Sequence, residues 1–395
     1  MKKHDICIVS KKIPPDFAGG GKRAFNHAKY FAKKGYKVLV LTTTKTYSEH
    51  ENLEIESIDL PNWFENQGLF FSILRKLYYL IYFLKVYIIL NKIEAKIFHC
   101  ISGGNWLSHF VTLINSQKDN SKVILETTLL GGDDPFTIKK SRLGFLRFSM
   151  YKNADAFVNI SPSLYKQCEK VNLPEDKIHL IPNSIDTNKY KIPSIEEKNK
   201  LREKLNMNED YIFLYVGIIS ERKNVEDLIN IFNGFSKKYK TFKLILAGPI
   251  KKNQENIKYT NKIKKLINKY GLESKVSLIG EIDNVNEYMK VSDVFVFASK
   301  REGFGTVLIE AMGSGLPVIT KKIEDITEYI IDDNIDGFIV DNNDDFIEKL
   351  LLLVKDEELL KNISLNARNK VMENFSNKIV MGQYLNLYRN LYSGF

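Results

Sequence analysis

Two glutamates, Glu302 and Glu310, stand eight positions apart in the segment 298–320, which reads ASKREGFGTVLIEAMGSGLPVIT. The apolar run before Glu302 predicts a strand, and the pattern after Gly305 predicts a helix that carries Glu310. Gly303 and Gly305 leave the main chain open to a ligand, and the unpaired N–H groups at a helix start suit a phosphate. Because carboxylates repel phosphate, the glutamates must serve neutral hydroxyls such as those of a sugar. The segment therefore predicts a binding site for a nucleotide sugar.

Two successive α/β units are predicted to position this segment. In each unit a buried strand leads through a short loop into an amphipathic helix and a second buried strand, which is the opening of a doubly wound domain. These elements are predicted at 5–10, 22–34 and 37–43 in the first unit and at 211–217, 225–239 and 242–247 in the second. Pro182 and the polar, lysine-rich stretch after it mark the join. We predict one domain over 1–182 and a second over 183–375, with a last helix at about 376–395 that returns to the first.

The composition excludes several classes of protein. At 395 residues the chain is long enough for about two domains of roughly 100–200 residues each. Hydrophobic residues make up 44% and charged residues 27%, which excludes a disordered polymer, a collagen and a disulfide-rich miniprotein. Three scattered cysteines, Cys7, Cys100 and Cys168, form no C-x-x-C motif and fit a reducing cytosol. The apolar run 6–10 is too short for the core of a signal peptide.

Positive charge is concentrated in the first half of the chain. Residues 1–182 carry 26 lysines and arginines against 17 aspartates and glutamates, whereas 183–395 carry 32 against 31. A basic half favours an anionic partner, which could be a nucleic acid, a membrane surface or a phosphate-bearing substrate. The alternative is a solvated lysine-rich surface, and the charge alone leaves both interpretations open.

The segment 69–90, LFFSILRKLYYLIYFLKVYIIL, is long and apolar enough to raise the question of a membrane span. Arg75, Lys76 and Lys85 interrupt it, and the short stretch 77–84 between the last two cannot cross a bilayer. Its tyrosines favour a membrane interface. Two interpretations stay open: a peripheral helix that dips into the headgroup region, or a core helix of the first domain whose cations extend to solvent.

The chain resembles the glycosyltransferase family 4 enzymes, which have the GT-B fold. The E-x7-E stretch from Glu302 to Glu310, with its GFG and GLPV flanks, is specific for this family. IPNSID at 181–186 resembles the family's IPNGVD. Further matches follow in family order at 19–21, 35–38, 160–164 (ISPSL), 246–249 (LAGP) and 334–340 (NIDGFIV). The resemblance implies two Rossmann-like domains facing each other across a cleft, with the donor on the second domain and the acceptor on the first.

The same resemblance implies a role for each residue around the two glutamates. Glu302 would contact donor-sugar hydroxyls near the 3- and 4-positions, and Glu310 would hold the ribose hydroxyls. Main-chain groups would serve the sugar at Gly303, Phe304 and Gly305 and the diphosphate at Thr306 and Val307. The alternatives are a loop salt bridge from Glu302 to a neighbouring cation and a helix charge at Glu310 that the dipole favours.

The cations expected around the diphosphate depart from the family pattern. Lys223 in GIISERKN matches the family lysine, but the family's arginine after the glycine is Ile218 here. Arg222 is the nearest substitute, at a shifted position. We predict that Lys223 and Arg222 neutralise the diphosphate, the alternative being a solvated loop pair. Further residues predicted to border the donor are Gly20, Gly21 and Asn183, the last of which could equally be a turn former.

The first domain departs from the family at a histidine. Where members often carry one, the stretch VILETTLLGGDDP has Thr127 or Thr128. Asp133 and Asp134 follow and are predicted to contact the acceptor, the alternative being a turn or helix cap before the next proline. His99 matches a frequent family histidine and is predicted to be catalytic, the alternative being a hydrogen-bonded histidine at a strand end.

The resemblance also implies a function and a mechanism. We expect a retaining glycosyltransferase that moves a sugar from a nucleotide-diphosphate sugar to an acceptor hydroxyl of a lipid-linked or surface-polysaccharide intermediate. No enzyme nucleophile is obvious, so the leaving phosphate would help deprotonate that hydroxyl, and electrostatic stabilisation of the diphosphate would contribute most. The alternatives are a non-catalytic nucleotide-sugar-binding partner of another transferase and a GT-B epimerase or phosphorylase.

The predicted ligands and location follow from this function. No D-x-D motif stands at a strand end, so we expect neither a metal nor a cofactor beyond the nucleotide-sugar donor. The expected partners are a nucleotide sugar and a glycan or lipid-linked sugar acceptor, with membrane contact through 69–90 and no nucleic acid. The expected location is the cytoplasm, with peripheral attachment to the inner face of the membrane.

Overall fold

The computed structural model describes residues 2–16, 19–48, 50–59, 69–116, 118–250 and 253–395. Contacts between residues divide the chain into two units. The first unit is Met1–Pro182 with Met381–Phe395, and the second is Asn183–Val380. Each unit is a parallel sheet covered by helices, which confirms the predicted α/β class with two Rossmann-like domains.

The first unit is built on parallel strands in the spatial order β3-β2-β1-β4-β5-β6-β7. The strands are β1 (Lys2–Val9), β2 (Val38–Thr42), β3 (Leu53–Ser57), β4 (Ile93–Ile101), β5 (Lys122–Thr127), β6 (Ala156–Asn159) and β7 (Ile178–Leu180). The helices are α1 (Gly19–Lys33), α2 (Leu69–Leu90), α3 (Trp106–Asn115), α4 (Pro135–Lys140), α5 (Gly144–Tyr151) and α6 (Pro162–Glu169). The strand order reverses between β1 and β4, and in such a sheet ligands bind at the carboxyl ends of those two strands.

The second unit repeats this plan in the order β10-β9-β8-β11-β12-β13, again with parallel strands. Its strands are β8 (Tyr211–Val216), β9 (Phe242–Ala247), β10 (Val276–Gly280), β11 (Val294–Phe297), β12 (Val318–Lys321) and β13 (Phe338–Val340). Its helices are α7 (Ile195–Lys204), α8 (Val225–Lys238), α9 (Gln254–Lys269), α10 (Val285–Val291), α11 (Thr306–Gly313), α12 (Thr327–Ile330), α13 (Asn343–Lys355) and α14 (Glu357–Asn374). The reversal lies between β8 and β11, so the loops after these strands are where a ligand is expected.

Buried aromatic and aliphatic side chains fix both sheets. In the second unit the rings of Phe213, Phe232 and Phe235 meet edge to face with centroids 5.1–5.8 Å apart, a favoured geometry for aromatic pairs. The last helix, α15 (Asn377–Leu391), begins in the second unit and ends in the first. Its Tyr384 and Tyr388 are fully buried there.

Helix α2 carries the apolar segment that raised the question of membrane contact. Tyr82, Val86 and Leu90 are buried in the core of the first unit. Another face of the same helix stays exposed, with Leu84 and Ile88 about half accessible to solvent. The side chains of residues 69–77 and of 79, Arg75 and Lys76 among them, lie outside the described residues. Within the described part of the chain no helix has both the length and the apolar character needed to span a membrane.

Candidate active site

The carboxyl ends of β8 and β11 bring three predicted residues together. Lys223 Nζ lies 2.6 Å from Glu302 Oε1, and Arg222 Nη1 lies 3.2 Å from the same oxygen. The Ser299 hydroxyl also donates to this oxygen, at 2.6 Å. None of these contacts reaches Glu302 Oε2. One oxygen of the carboxylate is therefore held by the protein, and the other can accept hydrogen bonds from ligand hydroxyls.

Burial sets Lys223 apart from an ordinary surface lysine. Lys223 is only 9% exposed, and its ammonium lies 4.9 Å from the centre of the Phe297 ring. Desolvation lowers the pKa of Lys223, and the neighbouring Glu302 opposes that shift. Because charges interact more strongly away from water, a diphosphate that reached this ammonium would be bound more tightly than at an exposed lysine.

Helix α11 begins directly after the glycines predicted to border the donor sugar. Gly305 precedes the helix with φ of 90°, a conformation that glycine adopts without the steric cost of a Cβ. The Phe304 side chain is buried against Tyr329 and Phe375, so only its main chain can face a ligand. Thr306 and Val307 follow on the first turn, where helical N–H groups have no partner within the helix.

Two polar contacts within the second unit hold this helix. Asn183 Nδ2 donates to Thr306 Oγ1 at 2.6 Å, so the Asn183 predicted to border the donor touches the same turn. The Tyr190 hydroxyl is hydrogen-bonded to the Glu310 carboxylate, and burial, reinforced by that charge, raises the pKa of Tyr190. Glu310 is therefore oriented by a tyrosine before any ligand arrives.

Sequence reasoning missed two residues of this site, Ser299 and Tyr190. Each stands close to a motif that is recognisable: Ser299 is three positions before Glu302, and Tyr190 is four after the IPNSID segment. A search for hydroxyl side chains close in sequence to a motif carboxylate would have found Ser299. Tyr190 pairs with Glu310 across 120 positions of sequence, and no local pattern indicates such a contact.

In the first unit, Gly20 and Gly21 lie in the first turn of α1, after the loop that follows β1. A Cβ at Gly21 would overlap the Lys12 carbonyl, and one at Gly20 would collide with the Ser102 hydroxyl. Glycine is therefore required by close packing at Gly21, whereas a side chain at Gly20 would displace the Ser102 hydroxyl. Their predicted contact with the donor stays a prediction.

His99 lies at the centre of a buried polar network rather than on a surface. Its Nε2 is 3.1 Å from Glu126 Oε2 and its Nδ1 is 2.7 Å from the Tyr388 hydroxyl. Since a carboxylate only accepts hydrogen bonds, His99 Nε2 carries a proton and donates it to Glu126. His99 is fully buried, so a substrate could reach the ring only by breaking one of these bonds. A catalytic role for His99 stays a prediction that this geometry does not favour.

The same network contains a buried ion pair. Arg23 Nε donates to Glu126 Oε1 at 2.6 Å, and the Tyr384 hydroxyl donates to Glu126 Oε2 at 2.6 Å. Burial would raise the pKa of Glu126, but Arg23 and His99 outweigh it and hold that pKa well below its usual value. Both carboxylate oxygens are thus occupied by groups of the protein.

The buried network also contains side chains of the kinds that bind metal ions. His27, His99 and Glu126 bring one ligand atom each within 4.8 Å of one another. However, the Arg23 guanidinium already lies 2.6 Å from Glu126, and it would repel a cation at the same carboxylate. The donor set therefore does not fit a metal.

Asp133 and Asp134 both bind main-chain N–H groups. Asp134 Oδ1 accepts from Thr137 N at 2.8 Å and caps α4, while its Oδ2 accepts from Gly131 N at 2.7 Å. This is the cap that the sequence left open as an alternative. Asp133 accepts from Leu129 N at 2.7 Å and from the Thr128 hydroxyl at 2.8 Å. The predicted contact of these aspartates with the acceptor stays a prediction.

The second unit thus presents a paired carboxylate, a buried lysine and a helix start at its strand reversal, and models of two glycosyltransferase families match the chain. The model for "Glycosyltransferase Family 4" matches residues 17–189, and that for "Glycosyl transferases group 1" matches residues 196–370. Together these matches cover most of the chain. The protein belongs to the group 1, family 4 glycosyltransferases.

Individual relatives and solved structures agree with this family. The chain is 27% identical over 281 residues to N-acetyl-alpha-D-glucosaminyl L-malate synthase of Bacillus anthracis, covering 69% of each chain. It is 29% identical over 273 residues to the capsular polysaccharide biosynthesis glycosyltransferase CapM of Staphylococcus aureus, covering 64% of this chain and 69% of CapM. Anabaena Alr3699/HepE in complex with UDP superposes with a TM-score of 0.79 at 18% identity over 98% of this chain and 100% of that one. This superposition confirms the predicted GT-B fold.

Proposed function

We propose that the protein is a retaining, metal-independent glycosyltransferase that transfers the sugar of a UDP-sugar to a hydroxyl of a glycan or lipid-linked sugar. The observation that carries the proposal is that the protein contacts only one of the two carboxylate oxygens of Glu302. Lys223, Arg222 and Ser299 all contact its Oε1, and none of them contacts Oε2. A carboxylate neutralised in this way can bind sugar hydroxyls beside a diphosphate without repelling it.

The choice of UDP as the nucleotide of the donor is supported by a structural relative. HepE, which shares the fold, has been solved with UDP-glucose as well as with UDP, the former at a TM-score of 0.77 and 17% identity over 98% of this chain. Group 1 membership of the chain is compatible with such a donor. CapM, named for capsular polysaccharide biosynthesis, supports a glycan as the acceptor.

The proposed chemistry places the leaving diphosphate at the start of α11. The N–H groups of Thr306 and Val307 and the ammonium of Lys223 would stabilise its negative charge as the bond to the sugar breaks. Glu302 would hold sugar hydroxyls rather than attack the anomeric carbon, because three donors already draw on its Oε1. The incoming hydroxyl would then approach on the same face as the leaving phosphate, which takes its proton, so that the anomeric configuration is retained.

Calorimetry with UDP-, GDP- and ADP-sugars tests the donor. We expect a UDP-sugar to bind, and we expect Glu310→Ala to weaken binding by about 1.5–3 kcal/mol because a hydrogen bond to a charged group is lost. Glu348→Ala, at an exposed glutamate of α13, is the matched control and should leave the Kd unchanged. Binding of no sugar nucleotide by the wild-type chain would contradict the proposal and favour a non-catalytic partner.

A lipid-linked acceptor would require contact with a membrane surface, which the first unit is suited to make. On α2, Leu80, Ile81, Leu84 and Ile88 are about half exposed or more, with Lys85 exposed among them. At the start of α5, Phe145 is 91% exposed. Apolar side chains beside cations suit the boundary between acyl chains and anionic headgroups.

Sedimentation with vesicles tests this contact. We expect the protein to pellet with vesicles of phosphatidylcholine and phosphatidylglycerol, and less with phosphatidylcholine alone. Leu84→Glu with Ile88→Glu should abolish binding, whereas Leu365→Glu, at an exposed leucine of α14, should not. Equal pelleting of all variants would remove membrane contact from the proposal and leave the transferase activity in place.

A further inference from the structure

Three polar side chains form a hydrogen-bonded chain at the carboxyl edge of the first sheet. Ser102 follows β4, and its Oγ lies 2.9 Å from Thr128 Oγ1. Thr128 follows β5, and its hydroxyl donates to Asp133 Oδ2 at 2.8 Å. This edge includes the carboxyl end of β4, one of the two strands between which the sheet order reverses and where ligands of such sheets bind.

Asp133 is the fixed end of this chain. Its carboxylate also accepts from the main-chain N–H groups of Thr128 at 3.0 Å and Leu129 at 2.7 Å. It is 9% exposed, and burial raises its pKa to about 6, so it is ionised near neutral pH. An ionised carboxylate can only accept hydrogen bonds.

The ionised carboxylate fixes the direction of both hydrogen bonds. The single hydroxyl proton of Thr128 is used toward Asp133, so Thr128 Oγ1 can only accept from Ser102. The single hydroxyl proton of Ser102 is used in turn toward Thr128. Ser102 Oγ is therefore left with an accepting lone pair and no proton to give, and within the described residues no other donor reaches it.

Ser102 is also placed where a ligand can reach it. It is half-buried, whereas Asp133 behind it is buried. The backbone at Ser102 is held with φ of 62°, and its carbonyl accepts from Asn105 Nδ2 at 2.7 Å. Gly20 lies against its hydroxyl so closely that a Cβ there would collide with it. The hydroxyl thus has a defined position on the floor of the strand reversal.

We propose that Ser102 Oγ binds the acceptor by accepting a hydrogen bond from one of its sugar hydroxyls, with Thr128 and Asp133 fixing the direction of that bond. The inference rests on the proposed function and names a residue that meets the acceptor. A phosphate or carboxylate oxygen has no proton to offer Ser102, so the group recognised here is a hydrogen-bond donor, which on a simple sugar is a hydroxyl. Thr128, at or beside the position where the family often has a histidine, thereby takes part in the acceptor site through Ser102.

Steady-state kinetics of the full chain test this inference. UDP release from UDP-glucose is measured with and without octyl glycosides of glucose, galactose and N-acetylglucosamine as probes. For the glycoside that stimulates release, Ser102→Ala should raise the KM by about 3- to 10-fold, the value of one hydrogen bond between uncharged groups. The KM for UDP-glucose should change less than the KM for the glycoside.

Three further variants separate binding from structure. Thr128→Val keeps the shape but removes the hydroxyl, so it should raise the same KM, and Thr128→Ser should restore it. Ser121→Ala is the matched control: Ser121 is buried at the opposite end of β5 and donates to the Asn115 carbonyl at 3.3 Å. It should leave the acceptor KM unchanged.

The outcomes are distinct. An unchanged acceptor KM in Ser102→Ala overturns the inference, and so does a wild-type chain that binds UDP-glucose but is stimulated by no glycoside. A rise in the KM of UDP-glucose equal to that of the acceptor would also overturn it, because the residue would then act on the fold or on the donor. If no sugar nucleotide binds at all, the proposed function fails and this inference fails with it.

Discussion

Each unit has a glutamate paired with a cation near its strand reversal, but the two glutamates differ in how many of their oxygens the protein binds. In the second unit Lys223 and Arg222 contact Oε1 of Glu302 and do not contact Oε2. In the first unit Arg23, His99 and Tyr384 occupy both oxygens of Glu126, which is fully buried. An ion pair at a strand reversal can therefore bind a ligand only where the carboxylate still has an oxygen without a protein donor. Where both oxygens have protein donors, the pair holds structure, here the carboxyl-terminal helix.

The largest expected effect comes from breaking the buried pair. Arg23→Ala leaves the Glu126 carboxylate buried without its cation, so the unfolding free energy of the first unit should fall by about 3–5 kcal/mol. Urea denaturation followed by circular dichroism measures it. Lys200→Ala, which breaks an exposed pair with Glu196 at 2.6 Å, should cost no more than about 0.5 kcal/mol. Equal losses in the two variants would mean that Arg23 is not structural.

The corresponding change in the second unit should affect turnover more than stability. Lys223→Ala removes a cation from the proposed diphosphate position, and we expect kcat to fall by about 100- to 1,000-fold, or about 2.7–4 kcal/mol. Initial rates of UDP release from the UDP-sugar that binds provide the measurement. Lys264→Ala, at an exposed lysine of α9, is the control. A variant that turns over within twofold of the wild-type rate would mean that Arg222, and not Lys223, stabilises the leaving diphosphate.

The regular elements were predictable because they repeat over short distances. The helix predicted over 225–239 is found at Val225–Lys238, and the strand predicted over 242–247 is found at Phe242–Ala247. The strand predicted from Asp5 begins at Lys2 instead. Its polar first residues pair with Ile93 and Glu94 of β4, so tertiary pairing extends a strand that its own pattern does not indicate.

The polar networks were not predictable, because they join residues that lie far apart in the sequence. Arg23 meets Glu126 across 103 positions and Tyr384 across 361, and contacts of that kind leave no period in the sequence. Lys223 and Glu302 are 79 positions apart, yet both were identified because each lies in a motif whose chemistry is recognisable by itself. The sequence thus indicates residues that act through a local motif and hides those that act through distant partners.

Asp133 and Glu126 should contribute differently to the pH dependence of stability. The hydrogen bonds to Asp133 come from main-chain N–H groups and a hydroxyl rather than from a cation. Burial raises the pKa of Asp133 from 3.8 to about 6, so the folded state binds the proton more tightly than the unfolded chain. Stability should therefore fall as the pH rises from about 4 to 6, by about 2–3 kcal/mol from this group. Asp133→Asn should remove that part of the slope in urea denaturation at several pH values. Asp119→Asn, at an exposed loop position, should keep it, and an unchanged slope in Asp133→Asn would contradict the shifted pKa.

The smallest expected effect decides whether the buried network around His99 serves structure alone. His99→Phe deprives Glu126 of one donor and leaves the Tyr388 hydroxyl without its partner, so the first unit should lose about 1–3 kcal/mol of unfolding free energy. The turnover rate of the folded variant should stay near that of wild type, because both ring nitrogens are engaged inside the protein. Tyr388→Phe removes only the bond to Nδ1 and should give a smaller loss of stability, again without a change in turnover. If His99→Phe alone loses most of its turnover at temperatures where it is fully folded, the ring acts in catalysis, and a buried network can then also serve the reaction.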